Sequence, residues 1–219
     1  MKVALFIIIY FLTTLWLQIK LTLSTLEQRK IFEPVKDENL LNLIFEKTGL
    51  KLSAIQIFNS PIFFAMMGSF LSKPVMILSK KLYENFSEKE LEYVIFHETG
   101  HYLLAHNLKE ILIGISLSVL GSVFILTFSV NFFVSFLLAL IFGIFAIQLF
   151  RGFEYQADKF ALKALGTPTA MISATKKFVK GNNAKLINRG LGRIFKLLFV
   201  RTVPYWERVK IAEEFIFKK

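Results

Sequence analysis

The 219-residue sequence contains no cysteine, and it has only three histidines and five prolines. Without cysteine the chain forms no disulfide and offers no thiolate to a metal, so any zinc must be held by histidine or carboxylate side chains. Acidic residues are also scarce, with 16 Asp and Glu against 27 Lys and Arg and a net charge of +11. The chain nevertheless carries 25 phenylalanines and is 54% hydrophobic, which is too apolar for an ordinary soluble domain.

The positive charge is concentrated in the last third of the chain. From Arg151 to Lys219 there are 15 Lys and Arg against 5 Asp and Glu, a net charge of +10. A basic surface of this kind favours nucleic acid or an anionic membrane face as its partner. Apolar segments lie beside it and the sequence has no zinc-finger or RNA-binding motif, so we expect an anionic lipid surface and no nucleic acid.

Two apolar segments predict three membrane-spanning helices. Residues 3–19 carry no charge and are just long enough for one span. A cleaved signal peptide is the alternative, which the absence of a small-residue cleavage site disfavours. The segment Ile111–Phe150 is also uncharged and is about twice the length that one span needs. It predicts two antiparallel spans with a turn at Ser129–Asn131, because a buried soluble hairpin would need a larger soluble shell.

The charges beside these spans predict their orientation. Lys20, Arg29 and Lys30 follow the first span, Lys109 precedes the second and Arg151 follows the third, and basic flanks remain cytoplasmic. We therefore expect a multi-pass protein of the cell inner or plasma membrane with its catalytic part in the cytoplasm. The chain divides into an N-terminal anchor, a first cytoplasmic half, a membrane hairpin and a second cytoplasmic half: residues 1–19, 20–110, 111–150 and 151–219.

The motif HETGH holds two of the three histidines, four residues apart. In a helix His97 and His101 lie on one face, one turn apart, with Glu98 beside them. Two imidazoles with a neighbouring carboxylate are what zinc-dependent hydrolysis requires. Ser87 and Glu90 form an S-x-x-E capping box, which predicts that the helix begins at Ser87.

A zinc hydrolase of this kind needs a third protein ligand. His106 lies five residues after His101, and we expect it to turn off the ligand face as an interfacial histidine near the bilayer. A carboxylate on another helix must then complete the site. Glu154 can bind zinc, and Asp158, one turn later, can accept the free N–H of a ligand histidine. A solvated acidic pair is the alternative, although these two acids stand alone in a long basic region.

Other residues predict the elements around these motifs. Gly100 costs about 1 kcal/mol relative to alanine inside a helix. This cost indicates that substrate or a neighbouring strand approaches the helix closely there. Neutral drift is the alternative explanation for the glycine. Gly166 predicts the end of the helix that carries the acidic pair. Ser53–Gly68 and the segment KPVMILS are rich in β-branched and aromatic residues and predict strands. The fold class is therefore mainly α with a small β-sheet (α+β).

HETGH followed by EYQADKFA closely resembles the integral-membrane gluzincin family that includes HtpX and the CaaX prenyl proteases. Members of that family pair HExxH with a later E-(F/Y)-x-A-D segment after a transmembrane hairpin. The segment KPVMILSKKLYENFSEKELEYVIF also resembles the family's strand and helix before the motif. The resemblance covers roughly Ser53 to Gly166, and a weaker similarity continues to Arg208. It implies a membrane-anchored zinc protease domain built on two ligand helices, with three transmembrane helices and one zinc ion (Zn2+) per chain.

The resemblance also implies residue roles. His97, His101 and Glu154 correspond to the zinc ligands, Glu98 to the general base and Asp158 to the hydrogen-bond partner of a ligand, His97 in particular.

The chain departs from the family pattern in two places. Relatives end with an H-P-x-x-x-E-R-like segment, whereas this chain reads TVPYWER, with Val203 in place of the histidine. Tyr205 and Arg208 are therefore the candidates for stabilising the oxyanion. The chain also has one predicted span before the motif, where HtpX-type chains have two, and the seven-span chamber of the prenyl proteases needs more helices than this chain offers.

These features predict a zinc-dependent membrane endopeptidase, HtpX-like, that cleaves membrane or membrane-proximal polypeptides in membrane-protein quality control. Substrate backbone is expected to pair with an edge strand. A site-2 type intramembrane protease is disfavoured because the motif helix opens with the charged sequence SEKELE. An inactive zinc-binding scaffold, or a basic module that recruits a partner to the membrane surface, remains the alternative. The intact Glu98 argues against a scaffold and the missing histidine argues for one.

Overall fold

The computed structural model describes residues 33–35, 37–68, 73–128, 131–181, 197–198 and 200–217. The first predicted span, residues 3–19, lies outside them. The described part is mostly helical with one small sheet, as the sequence predicts. Its helices are α1 (Glu38–Thr48), α2 (Lys80–Asn85), α3 (Glu88–Leu103), α4 (His106–Phe128), α5 (Phe132–Leu165), α6 (Thr169–Gly181) and α7 (Tyr205–Phe217).

Among the described residues the sheet has four strands and mixed topology. The strands are β1 (Glu33–Val35), β2 (Ala54–Phe58), β3 (Ala65–Gly68) and β4 (Val75–Ser79). Their order is β1-β2-β4-β3, with β2 and β4 parallel and both outer strands antiparallel to their neighbours. The segments predicted as strands therefore form β2, β3 and β4, and in the part of the chain that the structure describes β3 is an edge strand.

Short polar side chains begin several helices, and glycines end two of them. The side chain of Asp37 caps α1, that of Ser79 caps α2, and that of Asn131 caps α5 by accepting a hydrogen bond from the backbone N–H of Val134 at 3.0 Å. Such caps satisfy N–H groups that have no partner within the helix. The predicted end of α5 at Gly166 is confirmed, because this residue has a φ of 74° and closes the helix in the left-handed conformation.

Helix α3 packs along the C-terminal part of α5, and Gly100 lies at their contact. A Cβ atom added at Gly100 would lie 3.2 Å from the side chain of Phe160. The close approach that the sequence indicated is therefore made by a neighbouring helix, and not by a strand or substrate. It brings the two motif-bearing helices together, on a core that extends to the sheet through buried Phe96 and Leu162.

The HETGH helix does not run on into the apolar hairpin. Helix α3 ends at Leu103, Leu104 and Ala105 form a turn, and α4 begins at His106. Ala105 has a φ of 53°, a left-handed conformation that costs an L-residue roughly 1–2 kcal/mol. This break separates the motif helix α3 from the hairpin helix α4.

Helices α4 and α5 form the predicted hairpin, and both are long and apolar enough to cross a membrane. The apolar stretches that meet this test are not buried inside the described structure. Gly121 allows the helices to approach, because a Cβ atom there would lie 3.2 Å from the ring of Phe142. Helix α5 continues without a break from the hairpin to Leu165, so one helix carries both a candidate span and the acidic motif.

A buried carboxylate joins the start of α3 to α6. Glu90 accepts a hydrogen bond from the backbone N–H of Ser87 at 2.7 Å, which supports the predicted start of the helix at Ser87. It also accepts hydrogen bonds from Ser173 at 2.6 Å and Lys177 at 2.6 Å. Burial opposes its ionisation, but these hydrogen bonds outweigh burial and lower the pKa of Glu90 from 4.5 to about 2.

Replacing Glu90 with glutamine will destabilise the domain at neutral pH and will have little effect in acid. The folded-state pKa lies below the unfolded value, so the carboxylate stabilises the fold above pH 4.5 and loses this effect as the pH falls to about 2. We expect a loss of about 1–2 kcal/mol at pH 7, measured by denaturant unfolding in detergent across this range. Glu84→Gln is the control, because Glu84 is exposed and lies 3.8 Å from an equally exposed Lys80. A pH-independent difference between Glu90→Gln and the parent would contradict this assignment.

Candidate metal centre

Helix α3 presents His97 and His101 on one buried face. Their Nε2 atoms lie 3.2 Å apart, and their rings meet edge to face with centroids 4.8 Å apart. Both side chains are buried. The spacing of four residues therefore brings two imidazole nitrogens to one point, as the sequence predicts for a helix.

Glu154 of α5 reaches the same point. Its Oε2 atom lies 3.5 Å from His97 Nε2 and its Oε1 atom 3.6 Å from His101 Nε2. A tetrahedral zinc ion with bonds of about 2.0–2.2 Å separates its ligand atoms by about 3.3–3.6 Å. The observed separations match this value, and each of the three residues offers a ligand atom within 4.8 Å of the others. The residues therefore fit a zinc ion with three protein ligands.

Asp158 holds the other ring nitrogen of His97. Its Oδ1 atom lies 2.9 Å from His97 Nδ1 and accepts a hydrogen bond from Tyr93 at 2.7 Å, while its Oδ2 atom accepts one from Arg208 at 2.9 Å. Burial disfavours the charged form of His97, but hydrogen bonds to Asp158 and Glu154 outweigh burial and raise its pKa to about 10. The arrangement fixes the ring so that Nε2 faces Glu154.

His106 lies outside the group of candidate ligands, as expected, but it contacts the other ring nitrogen of one of them. His106 is fully buried, and its Nδ1 atom lies 2.9 Å from Nδ1 of His101. The break at Ala105 is the reason, because it rotates the start of α4 back toward the end of α3.

Two arginines balance the charge of Glu154. Arg201 donates from Nε to Glu154 Oε1 at 3.0 Å and from Nη1 to Glu110 Oε2 at 2.8 Å. Arg208 Nη2 lies 3.9 Å from Glu154 Oε2. Sequence reasoning missed Arg201, and no local signal marks it, because its partners lie on two other helices and only the fold brings them together.

A cavity of about 390 Å³ opens beside the metal-ligand group. Glu98 is partly buried and lines it, and burial raises the pKa of this carboxyl above its usual range. The predicted oxyanion candidates Tyr205 and Arg208 also line the cavity, as does Val203, which replaces the family histidine. Most of the remaining wall is apolar and comes from the edge strand β3, the loop before it and helix α6: Phe63, Phe64, Ala65, Phe178 and Val179.

Comparison with known proteins identifies relatives of this architecture. The family model described as peptidase family M48 matches residues 37–215. The crystal structure of Ste24p from S. mikatae is similar, with a TM-score of 0.70 and 18% sequence identity over 93% of this chain and 58% of that one. This chain therefore aligns with little more than half of that protein. No curated protein matches the chain.

Proposed function

Because the chain belongs to peptidase family M48, we propose that it is a zinc-dependent endopeptidase held at a membrane. One observation carries the proposal: two histidines and a glutamate converge on one buried point, and a second glutamate lines the cavity beside it. A site that only stored a metal has no need of Glu98. The family resemblance of HETGH and EYQADKFA gives the same assignment.

His97, His101 and Glu154 would hold one zinc ion. When bound, zinc polarises a peptide carbonyl and makes water acidic near neutral pH. Glu98 is the general base: it takes a proton from the attacking water and delivers it to the leaving amine. Burial raises the pKa of Glu98 above its usual range, which is the direction that strengthens a carboxylate as a base.

Tyr205 is the stronger candidate for stabilising the oxyanion. It lines the cavity from the first turn of α7, where its hydroxyl can donate a hydrogen bond. Arg208 lines the same cavity but is engaged by Asp158 and Glu154. We therefore infer that Arg208 orients Asp158, and through it His97.

The substrate backbone would pair with β3, which is an outer strand of the sheet within the described residues, as extended peptides do on edge strands. Ala65 belongs to both β3 and the cavity wall. An extended segment on this edge would direct a side chain into the cavity, beside Glu98. The apolar walls formed by Phe63 and Phe178 favour an apolar side chain at that position.

The hairpin supports a substrate at the membrane. Helices α4 and α5 are candidate spans. If Lys109 and Arg151 remain inside, the candidate ligands on α3 and on the C-terminal part of α5 lie next to the cytoplasmic ends of these spans. The basic C-terminal region would then face anionic lipids. We propose that the substrates are membrane or membrane-proximal polypeptides, as for an HtpX-like enzyme of membrane-protein quality control.

Activity and orientation can be tested in one experiment on membrane vesicles that contain the full chain. Fluorescent casein should be cleaved by inside-out vesicles, and 1,10-phenanthroline should stop cleavage until zinc is restored. Sealed right-side-out vesicles should leave casein intact until detergent opens them. A model membrane protein reconstituted with the enzyme should be cut in its cytoplasmic loops.

Each failure has a different meaning. Bound zinc without cleavage in either orientation would favour the scaffold alternative. Cleavage only by right-side-out vesicles would overturn the orientation, and cleavage restricted to soluble proteins would overturn the substrate class.

A further inference from the structure

We propose that His106 is a positioning residue for the metal ligand His101. In this arrangement His106 accepts the ring N–H of His101 and thereby holds the opposite nitrogen, Nε2, toward the metal. The inference rests on the proposed zinc site and adds a residue that its three-ligand description leaves out.

Protonation of the rings follows from the geometry. A neutral imidazole that binds a metal through Nε2 carries its proton on Nδ1. The Nδ1 atom of His101 lies 2.9 Å from Nδ1 of His106, so His106 must offer a lone pair there. The proton of His106 then lies on Nε2, which is 3.1 Å from Oε1 of Gln156. Each N–H in this series has an acceptor.

The backbone is arranged to permit this contact. In an uninterrupted helix, a residue five positions after His101 points about 140° away from it. The left-handed conformation of Ala105, with a φ of 53°, breaks the helix and returns His106 to the ligand. Strained backbone of this kind persists where the surrounding structure requires it.

The helix that carries Glu154 also supports His106. The ring of Phe153 stacks on the ring of His106 with centroids 4.7 Å apart and planes inclined by 12°. Gln156 of the same helix receives the Nε2 hydrogen bond. His106 is fully buried between these contacts, so its ring has one orientation in which to meet His101.

The two ligand histidines are therefore held differently. His97 is paired with a carboxylate, Asp158, whereas His101 is paired with a neutral imidazole. A carboxylate in place of His106 would add a third negative charge near Glu154 and Glu110. The structure instead orients His101 without adding charge.

Two substitutions separate hydrogen bonding from packing. His106→Phe keeps an aromatic ring on Phe153 but removes the acceptor. His106→Asn loses the ring but keeps an oxygen at the position of Nδ1. Zinc affinity of the full chain in detergent should be measured by competition with a chromophoric chelator at fixed pH. Losing such an outer partner weakens metal affinity by roughly 10–100-fold, and we expect this loss for His106→Phe and an affinity close to the parent for His106→Asn.

The outcomes are decisive because they do not depend on proteolysis. Parental affinity in His106→Phe would overturn the inference. Equal losses in both variants would also overturn it, since they would show that a hydrogen-bond acceptor at the position of Nδ1 does not preserve zinc affinity. A thermal melt of each zinc-free variant shows that it is folded. A parent that binds no zinc would instead refute the proposed function.

Discussion

Glu98→Gln will keep its zinc and lose its proteolytic activity. The side chain lies between the two ligand histidines in sequence but belongs to the cavity wall, and it is not a member of the convergent group of ligand atoms. Glutamine preserves the shape of the side chain and cannot accept the proton of water. Removing a general base costs roughly 10²–10⁴ in rate, so casein cleavage should fall by that factor while zinc content stays at one per chain.

Glu88→Gln is the matched control, because Glu88 is an exposed acid in the first turn of the same helix. It should cleave at the parental rate. Undiminished cleavage by Glu98→Gln would show that another group acts as the base. Loss of zinc from Glu98→Gln would show that Glu98 is a ligand.

Glu154→Ala will lose its zinc. Glu154 supplies the one carboxylate of the ligand group, and its oxygens lie 3.5 and 3.6 Å from the two Nε2 atoms. Loss of an outer hydrogen-bond partner costs roughly 10–100-fold in affinity, so loss of a direct ligand should cost more than about 100-fold. Asp158→Asn should fall within the smaller range, because Asp158 contacts His97 and not the metal.

Glu207→Gln is the control, because it also removes an acidic side chain at the contact between α5 and α7. Its side chain accepts a hydrogen bond from Tyr155, next to Glu154 in the sequence, but it lies outside the ligand group. Zinc content measured by atomic emission should be unchanged in this variant. Normal zinc content in Glu154→Ala would place the third ligand elsewhere.

The predictions that the structure supports rest on local signals. Ser87 and Glu90 mark the start of α3, and Gly166 marks the end of α5, because each satisfies backbone groups within a few residues of itself. The four-residue spacing of HETGH gives the geometry of two imidazoles without knowledge of the remaining fold.

What the sequence did not predict depends on distant contacts. Leu104 and Ala105, where α3 is broken, are good helix formers. The local sequence therefore does not predict the break after α3. Arg201 meets Glu110 and Glu154 only after three separate segments have packed together. The short strand β1 has no stable form apart from its pairing with β2.

The apolar hairpin divides the candidate site along the chain, which has a consequence for the synthesis of the proposed peptidase. Synthesis delivers His97 and His101 first, then α4 and the apolar first part of α5, and only afterwards the C-terminal part of α5 that carries Glu154. A nascent chain that has not completed insertion thus has an imidazole pair without its carboxylate. Under the proposed function, the order of translation would keep the nascent peptidase inactive until the C-terminal part of α5 has emerged and folded against α3.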